Sequence, residues 1–232
     1  MQSQSFNGLS GGLLRTVLLS ITLPVVGCGS GDPLDQLDLS QFDSPSCTPR
    51  GWMSISGLNP AARVDYLELR ERYFQISGSP ASQTTVVDAQ GTPCATASMR
   101  TTCESDLAKV DLTYANLHNE GHWFAGSSSY LVSTQGDSVQ SVSEIPDLIR
   151  FLAPIDEPQE AILVVWGRGA DVACSNKARG AVRPSEDGFD VLATQLGAGL
   201  TAAPKPITQQ LLHVSSTGSV SVLLSRKIGE SL

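Results

Sequence analysis

The chain has 232 residues, of which 41% are hydrophobic, 16% charged and 6% aromatic. That balance suits one globular domain and argues against a disordered, collagenous or multi-pass membrane chain. Fifteen basic against 23 acidic residues leave a net charge of -8, which disfavours nucleic acid as a partner because phosphate neutralisation needs clustered Lys and Arg.

At the amino end, Leu13 to Val26 is apolar apart from Arg15 and hydroxyl residues, follows a polar lead from Met1 to Gly12, and ends in Gly27-Cys28. A membrane-spanning helix needs ~20 apolar residues, whereas a secretory apolar core needs ~7 to 15, and Pro24 spoils the last helical turn. A cleaved signal peptide over residues 1–27 is the expectation. The run Val25-Val26-Gly27-Cys28 resembles the lipobox of bacterial lipoprotein precursors, and the resemblance is confined to this end of the chain. It implies cleavage before Cys28, a diacylglycerol thioether on the Cys28 sulfur and an acylated new amino terminus, hence attachment to a lipid bilayer of the cell envelope. Each buried methylene contributes ~0.8 kcal/mol, and stable anchoring takes more than one acyl chain. In the same resemblance an Asp after the Cys marks inner-membrane retention; Gly29 stands there instead, so the outer membrane is preferred.

Loss of residues 1–27 removes Arg15 and no acid, leaving 14 basic and 23 acidic residues, a net of -9. Gly29 to Ser46 contains Asp32, Asp35, Asp38 and Asp43 without a basic residue. With its Gly, Ser and Pro, the stretch 28–46 reads as an acidic flexible tether that holds a single globular domain, 47–232, away from the lipid. Acids at spacings of three, three and five lack the alternating oxygens and central Gly of a calcium loop.

Besides Cys28 the chain carries Cys47, Cys94, Cys103 and Cys174. Four thiols outside the cytosol suggest two disulfides, with three possible connectivities. Cys94 and Cys103 are the easiest pair to close, and Cys47 with Cys174 would then tie the start of the domain to its second half. Metal or redox chemistry at these thiols is disfavoured by the absence of a Cys-x-x-Cys pair.

In the globular part, Gly51–Gly57 and Val64–Arg72 have the aromatic and branched content of strands. Ser77–Cys94 is a loop-rich excursion around a small Thr84–Val87 strand. Thr101-x-x-Glu104 matches a capping box, and Leu107, Val110, Tyr114 and Leu117 line one face of a helix predicted to run to Gly121. Ser128–Thr134 and Ser138–Val142 flank Gln135-Gly136-Asp137 as a hairpin. Ser143 caps a helix over Glu144–Leu152 that buries Ile145, Leu148, Ile149 and Leu152. Asp156-x-x-Gln159 resembles a second capping box, opening a helix over Glu157–Gly167 with Ala161, Ile162, Val165 and Trp166 inward. Ala178–Arg183 and Phe189–Gln195 turn at Glu186-Asp187-Gly188, and Ile207–Ser215 pairs with Ser219–Lys227 across Thr217-Gly218. The prediction is an α+β domain: a mainly antiparallel, hairpin-built sheet with two or three helices on one face and disulfides. No internal repeat occurs.

Candidate sites are sparse. His118, Glu120 and His122 form the densest group of metal-ligating types and could activate water on a divalent ion. Their spacing is not the helical zinc-protease pattern, and the simpler reading is a polar helix end. His213 reads as a half-buried strand residue. Ser127, Ser128 and Ser129 follow Gly126, but Tyr130 stands where a nucleophile elbow has its second Gly. Asp156, Glu157 and Glu160 suit helix-start electrostatics better than a glycosidase carboxylate pair. Among the aromatics, Trp52, Tyr66, Tyr73, Trp123, Phe124, Tyr130 and Trp166 are candidate platforms for sugars or partner proteins, although 13 aromatic residues in all make core the default. No cofactor motif is present. Two classes follow: a noncatalytic envelope module that binds a protein, a glycan or a small ligand, and an envelope hydrolase, metal-dependent through His118, Glu120 and His122. The sequence leaves oligomeric state open.

Overall fold

In a computed structural model, residues 31–75, 83–112, 117–122, 125–197 and 204–231 are described, with backbone only for 74–75, 119–122 and Ala125. The expected signal peptide, Cys28, Trp123 and Phe124 lie outside this set.

The first sheet is organised by β1 (Tyr66–Gln75), whose alternation sends Leu67 and Leu69 to one face and Tyr66, Glu68 and Arg70 to the other. It pairs antiparallel with β2 (Gln83–Gly91) and with β4 (Ala125–Gln135). The far edge of β4 is shared in succession by β3 (His118–His122) and β5 (Ser138–Val142). The second sheet is an antiparallel meander of β6 (Ala181–Ser185), β7 (Gly188–Leu196), β8 (Lys205–Ser215) and β9 (Val220–Ser231). These hairpins fall where their turn residues put them, and the α+β class holds.

Between the sheets runs α3 (Pro158–Gly167). The sequence stripe predicted one buried face; in the structure every residue from Gln159 to Gly167 is buried. The helix packs on β6, β7 and β8, and the same core continues to Leu67, Leu69 and Leu131 of the first sheet, so it has no solvent side. α2 (Ile145–Leu152) packs beside it and buries Leu148 and Leu152. α1 (Arg100–Lys109) covers the opposite face of the first sheet, with Leu107 against Tyr130 and Val132. There the buried pair Glu68 and Arg70 is joined at 2.6 Å, and Tyr66 donates to Glu68 at 2.8 Å. Burial, then that bond and the Glu68 charge, push the Tyr66 phenol up to about 12.

Five local expectations change. The helix predicted to reach Gly121 ends at Lys109, because Arg70 of β1 donates to the carbonyls of Leu107 and Val110 and occupies the end of the helix. Leu117 instead enters the main core and residues 118–122 complete β4 as a strand. The start of α1 is Met99, without a side-chain cap, and Glu104 pairs with Arg100 at 2.8 Å rather than closing a box from Thr101. Ser143 caps nothing: Glu144 precedes α2 without a side-chain bond. The box on α3 is one residue later than expected, between Glu157 and Glu160. Glu160 accepts from the amides of Asn59, Asp156 and Glu157 at 2.9, 3.1 and 3.2 Å. Burial nevertheless raises its pKa, the three amides working against it. Gln159 is left to hold the chain start, donating to the carbonyls of Ser46 and Ser54 at 3.2 and 2.7 Å. Gly51–Gly57 forms no strand beyond a bridge from Cys47 to Met53.

Residues 32–46, expected as tether, lie on the second sheet. Short 3-10 turns at Pro33–Gln36 and Leu39–Gln41 are capped by the Asp32 and Asp38 carboxylates. Leu34 and Phe42 are buried with Ala181, Leu192 and Leu211, Asp43 bridges Val182, and Arg226 pairs with Asp35 and Asp32. The leucines and phenylalanine between the acids supply the burial that a solvated linker lacks. Two disulfides, Cys47–Cys174 and Cys94–Cys103, each span 6.0 Å between Cα atoms. Among the described residues no helix is long and apolar enough to cross a membrane.

Candidate functional site

The inner face of the first sheet joins the main core with α3 through Leu67, Leu69 and Leu131; beside Trp166, Glu71 and Tyr73 of β1, Val87 of β2, and Ser127 and Ser129 of β4 border open space. The Gly51–Met53 loop on one side and Asp171, Val172 and Cys174 on the other complete a cleft of about 260 Å³.

Its rim is braced. The Gly51 amide donates to the Thr48 carbonyl at 2.8 Å, and Gly51 takes φ +79°, a value L side chains avoid. The Trp52 amide donates to Thr48 Oγ1 at 3.2 Å. Cys47, at the base of this turn, is bonded to Cys174 of the facing wall. Trp52 on this turn is 37% exposed and Tyr73 on β1 42%, while Trp166 is 9% exposed at the cleft floor.

Among the described residues, the two charged ones lining the cleft, Glu71 and Asp171, are acids. Tyr73 donates its hydroxyl to Glu71 Oε2 at 2.6 Å, and no Lys or Arg pairs with Glu71 among the described residues. Asp171 meets Arg179 at 3.4 Å and Thr194 Oγ1 at 3.3 Å. Glu71 stands in register with Ser129 on one side and Thr85 on the other, and Thr85 Oγ1 is buried without a hydrogen-bond partner among the described residues. Arg50 lies outside the lining, its Cζ 5.9 Å from the Trp52 ring centroid.

His118, in register with Ser129, stacks on Trp166 with ring centroids 4.1 Å apart at 12°. Its Nδ1 is 2.6 Å from the Trp166 carbonyl oxygen. A carbonyl only accepts, so Nδ1 bears the proton. His118, Glu120 and His122 all lie on β3 rather than at a helix end, and the side chains of Glu120 and His122 lie outside the described residues. Among the described residues no group of three or more His, Cys, Asp or Glu could hold a metal ion.

On the second sheet, Ser185 Oγ and Asp190 Oδ1 each lie 3.2 Å from His213, which is half-buried as its strand position suggests. Both contact the same nitrogen, Nδ1, whereas a triad needs the nucleophile and the acid on opposite nitrogens. Asp190 is also taken by Arg183 at 2.9 Å, and the cluster stitches β6, β7 and β8 together.

Of the aromatic platforms considered, Trp52, Tyr73 and Trp166 meet in the cleft, whereas Tyr130 is fully buried under α1 and Tyr66 belongs to that same outer face. Ser127 and Ser129 line the cleft as hydroxyls. Glu71 and Asp171 were not singled out by the sequence; the alternation Leu69, Glu71, Tyr73 within β1 was the available signal for the first. No family model matches the chain, and no curated protein or solved structure matches it.

Proposed function

We propose that this chain is a lipid-anchored protein of the bacterial cell envelope whose globular domain is a noncatalytic binding module, with the Trp52–Tyr73–Trp166 cleft as its ligand site. The cleft carries the reading: two partly exposed aromatic rings, Trp52 on a disulfide-braced turn and Tyr73 on β1, border hydroxyls and a carboxylate, an arrangement that gives stacking area and orientation. Anchoring rests on Val25-Val26-Gly27-Cys28.

Two measurements test this. Palmitate labelling of the full chain that disappears in Cys28→Ser, with release of the variant from membranes, is the result required for the anchor; an unmodified Cys28 in the parent chain overturns it. For the cleft, the chain is extracted from its own membrane and weighed intact under native conditions. A small-molecule mass increment present in the parent and lost in Trp52→Ala and Tyr73→Ala supports the binding module, and identical bare masses overturn it.

A further inference from the structure

The charge of the cleft narrows what it takes. Among the described residues its charged lining is Glu71 and Asp171, its hydroxyls are those of Tyr73, Ser127 and Ser129, and its apolar surface comes chiefly from Trp52, Trp166 and their aliphatic neighbours. An anion would meet two carboxylates and, among the described lining residues, no Lys or Arg. A neutral ligand would cover Glu71, whose side chain has the Tyr73 hydroxyl as its recorded partner, without compensating its charge, and a covered carboxylate without a counter-charge is costly. A cation answers both needs at once, with the carboxylate taking the charge and the ring faces taking the carbon around it. Arg50 already uses the Trp52 ring in this manner from outside. The volume, about 260 Å³, lies just under the ~300 Å³ at which pockets for drug-sized molecules begin.

Resting on the reading of this cleft as a ligand site, we infer that its ligand is a small organic cation, an ammonium group borne on carbon, free or as the end of a larger molecule. The ammonium sits on Glu71 and its carbon substituents lie against Trp52 and Tyr73. Asp171, partly engaged by Arg179, adds to the negative field of the site without being its anchor.

The test uses the full chain in a polyoxyethylene detergent, which brings neither sugar nor ammonium, at low salt. Choline, 1,4-diaminobutane, glucose and acetate are titrated while calorimetric heat and indole fluorescence are followed. Choline or 1,4-diaminobutane binds saturably and at least tenfold more tightly than glucose or acetate. Glu71→Gln, which keeps an acceptor for Tyr73, weakens the cations about tenfold; Trp52→Ala does the same and Trp52→Phe restores part of the loss. Unchanged thermal midpoints in the three variants tie these losses to the site rather than to folding. Glucose binding as tightly as the cations, or cation affinity indifferent to Glu71→Gln, overturns the charge assignment and leaves the cleft a binding site. Failure of both cations to bind overturns the inference as well, and the native mass measurement above, which needs no choice of probe, then decides the binding reading separately.

Discussion

The imidazole of His118 lies flat on the indole of Trp166, and its Nδ1–H reaches the carbonyl of that same residue at 2.6 Å. Strand β3 and the last turn of α3 are pinned together by this one side chain, at the edge of the cleft.

His118→Ala is therefore expected to destabilise the protein by about 2 kcal/mol. The lost ring pair accounts for about 1 kcal/mol and the lost Nδ1–H bond for about 1 kcal/mol more, the Trp166 carbonyl keeping the Gly169 amide at 2.9 Å. Denaturant unfolding followed by indole emission checks it. The emission of folded His118→Ala should shift to the red as Trp166 is uncovered, and a loss below about 0.5 kcal/mol would show that the stack is incidental.

The two disulfides should differ in weight. With separations of 127 and nine residues, chain entropy assigns about 5 kcal/mol to Cys47–Cys174 and about 2.5 kcal/mol to Cys94–Cys103. Paired Cys→Ala variants compared by urea unfolding should keep that order. Removing Cys47–Cys174 should also free the turn carrying Trp52 and weaken whatever the cleft holds, which the other pair leaves untouched.

Acid should loosen the loop closed by Cys94 and Cys103 first. The Thr96 hydroxyl, ahead of the amides of Thr96 and Gly136, holds the Asp65 carboxyl below its ordinary value of 3.8, and the Ser98 hydroxyl with the Met99 amide does the same to Asp137. A carboxylate whose pKa is lowered on folding contributes stability that is fully present above the unfolded value and lost as pH falls through the folded one. Glu160 runs the other way: burial raises its pKa above 4.5, so its contribution is greatest in acid and declines as pH rises through the raised value. Protection of the amides of 94–99 against exchange should fall as pH drops below 3.8, and Asp65→Asn should flatten that acid dependence. An unaltered profile in Asp65→Asn contradicts the assignment.

Two glycines with positive φ separate strain from crowding. A Cβ at Gly51, φ +79°, meets nothing within 4 Å, whereas at Gly91, φ +85°, it would lie 2.2 Å from the Asp65 carbonyl oxygen. Gly51→Ala should cost about 1 kcal/mol, and Gly91→Ala clearly more because the backbone of β1 must also move. Thermal midpoints of the two variants, compared under one condition, give the order directly.

Hairpin turns, the paired cysteines and the amphipathic stripe of α2 were legible in the sequence because each depends on neighbours a few residues away or, for the thiols, on number and spacing alone. The end of α1 was not: Leu107, Val110 and Leu117 keep helical spacing, yet a guanidinium from β1 takes the helix terminus and the open edge of β4 takes the residues beyond. The acids of 32–46 likewise suggested a solvated spacer, and only the apolar surface of the second sheet gave Leu34 and Phe42 somewhere to go.

By itself the sequence determined an acidic, disulfide-bearing α+β domain, since composition, periodicity and turn chemistry are properties of the chain alone. The cleft belongs to the tertiary structure. Trp52, the Glu71–Tyr73 stretch of β1 and the Trp166–Asp171 segment are far apart in sequence and no motif links them; they meet because the first sheet, the end of α3 and two distant loops tied by a disulfide converge on one space.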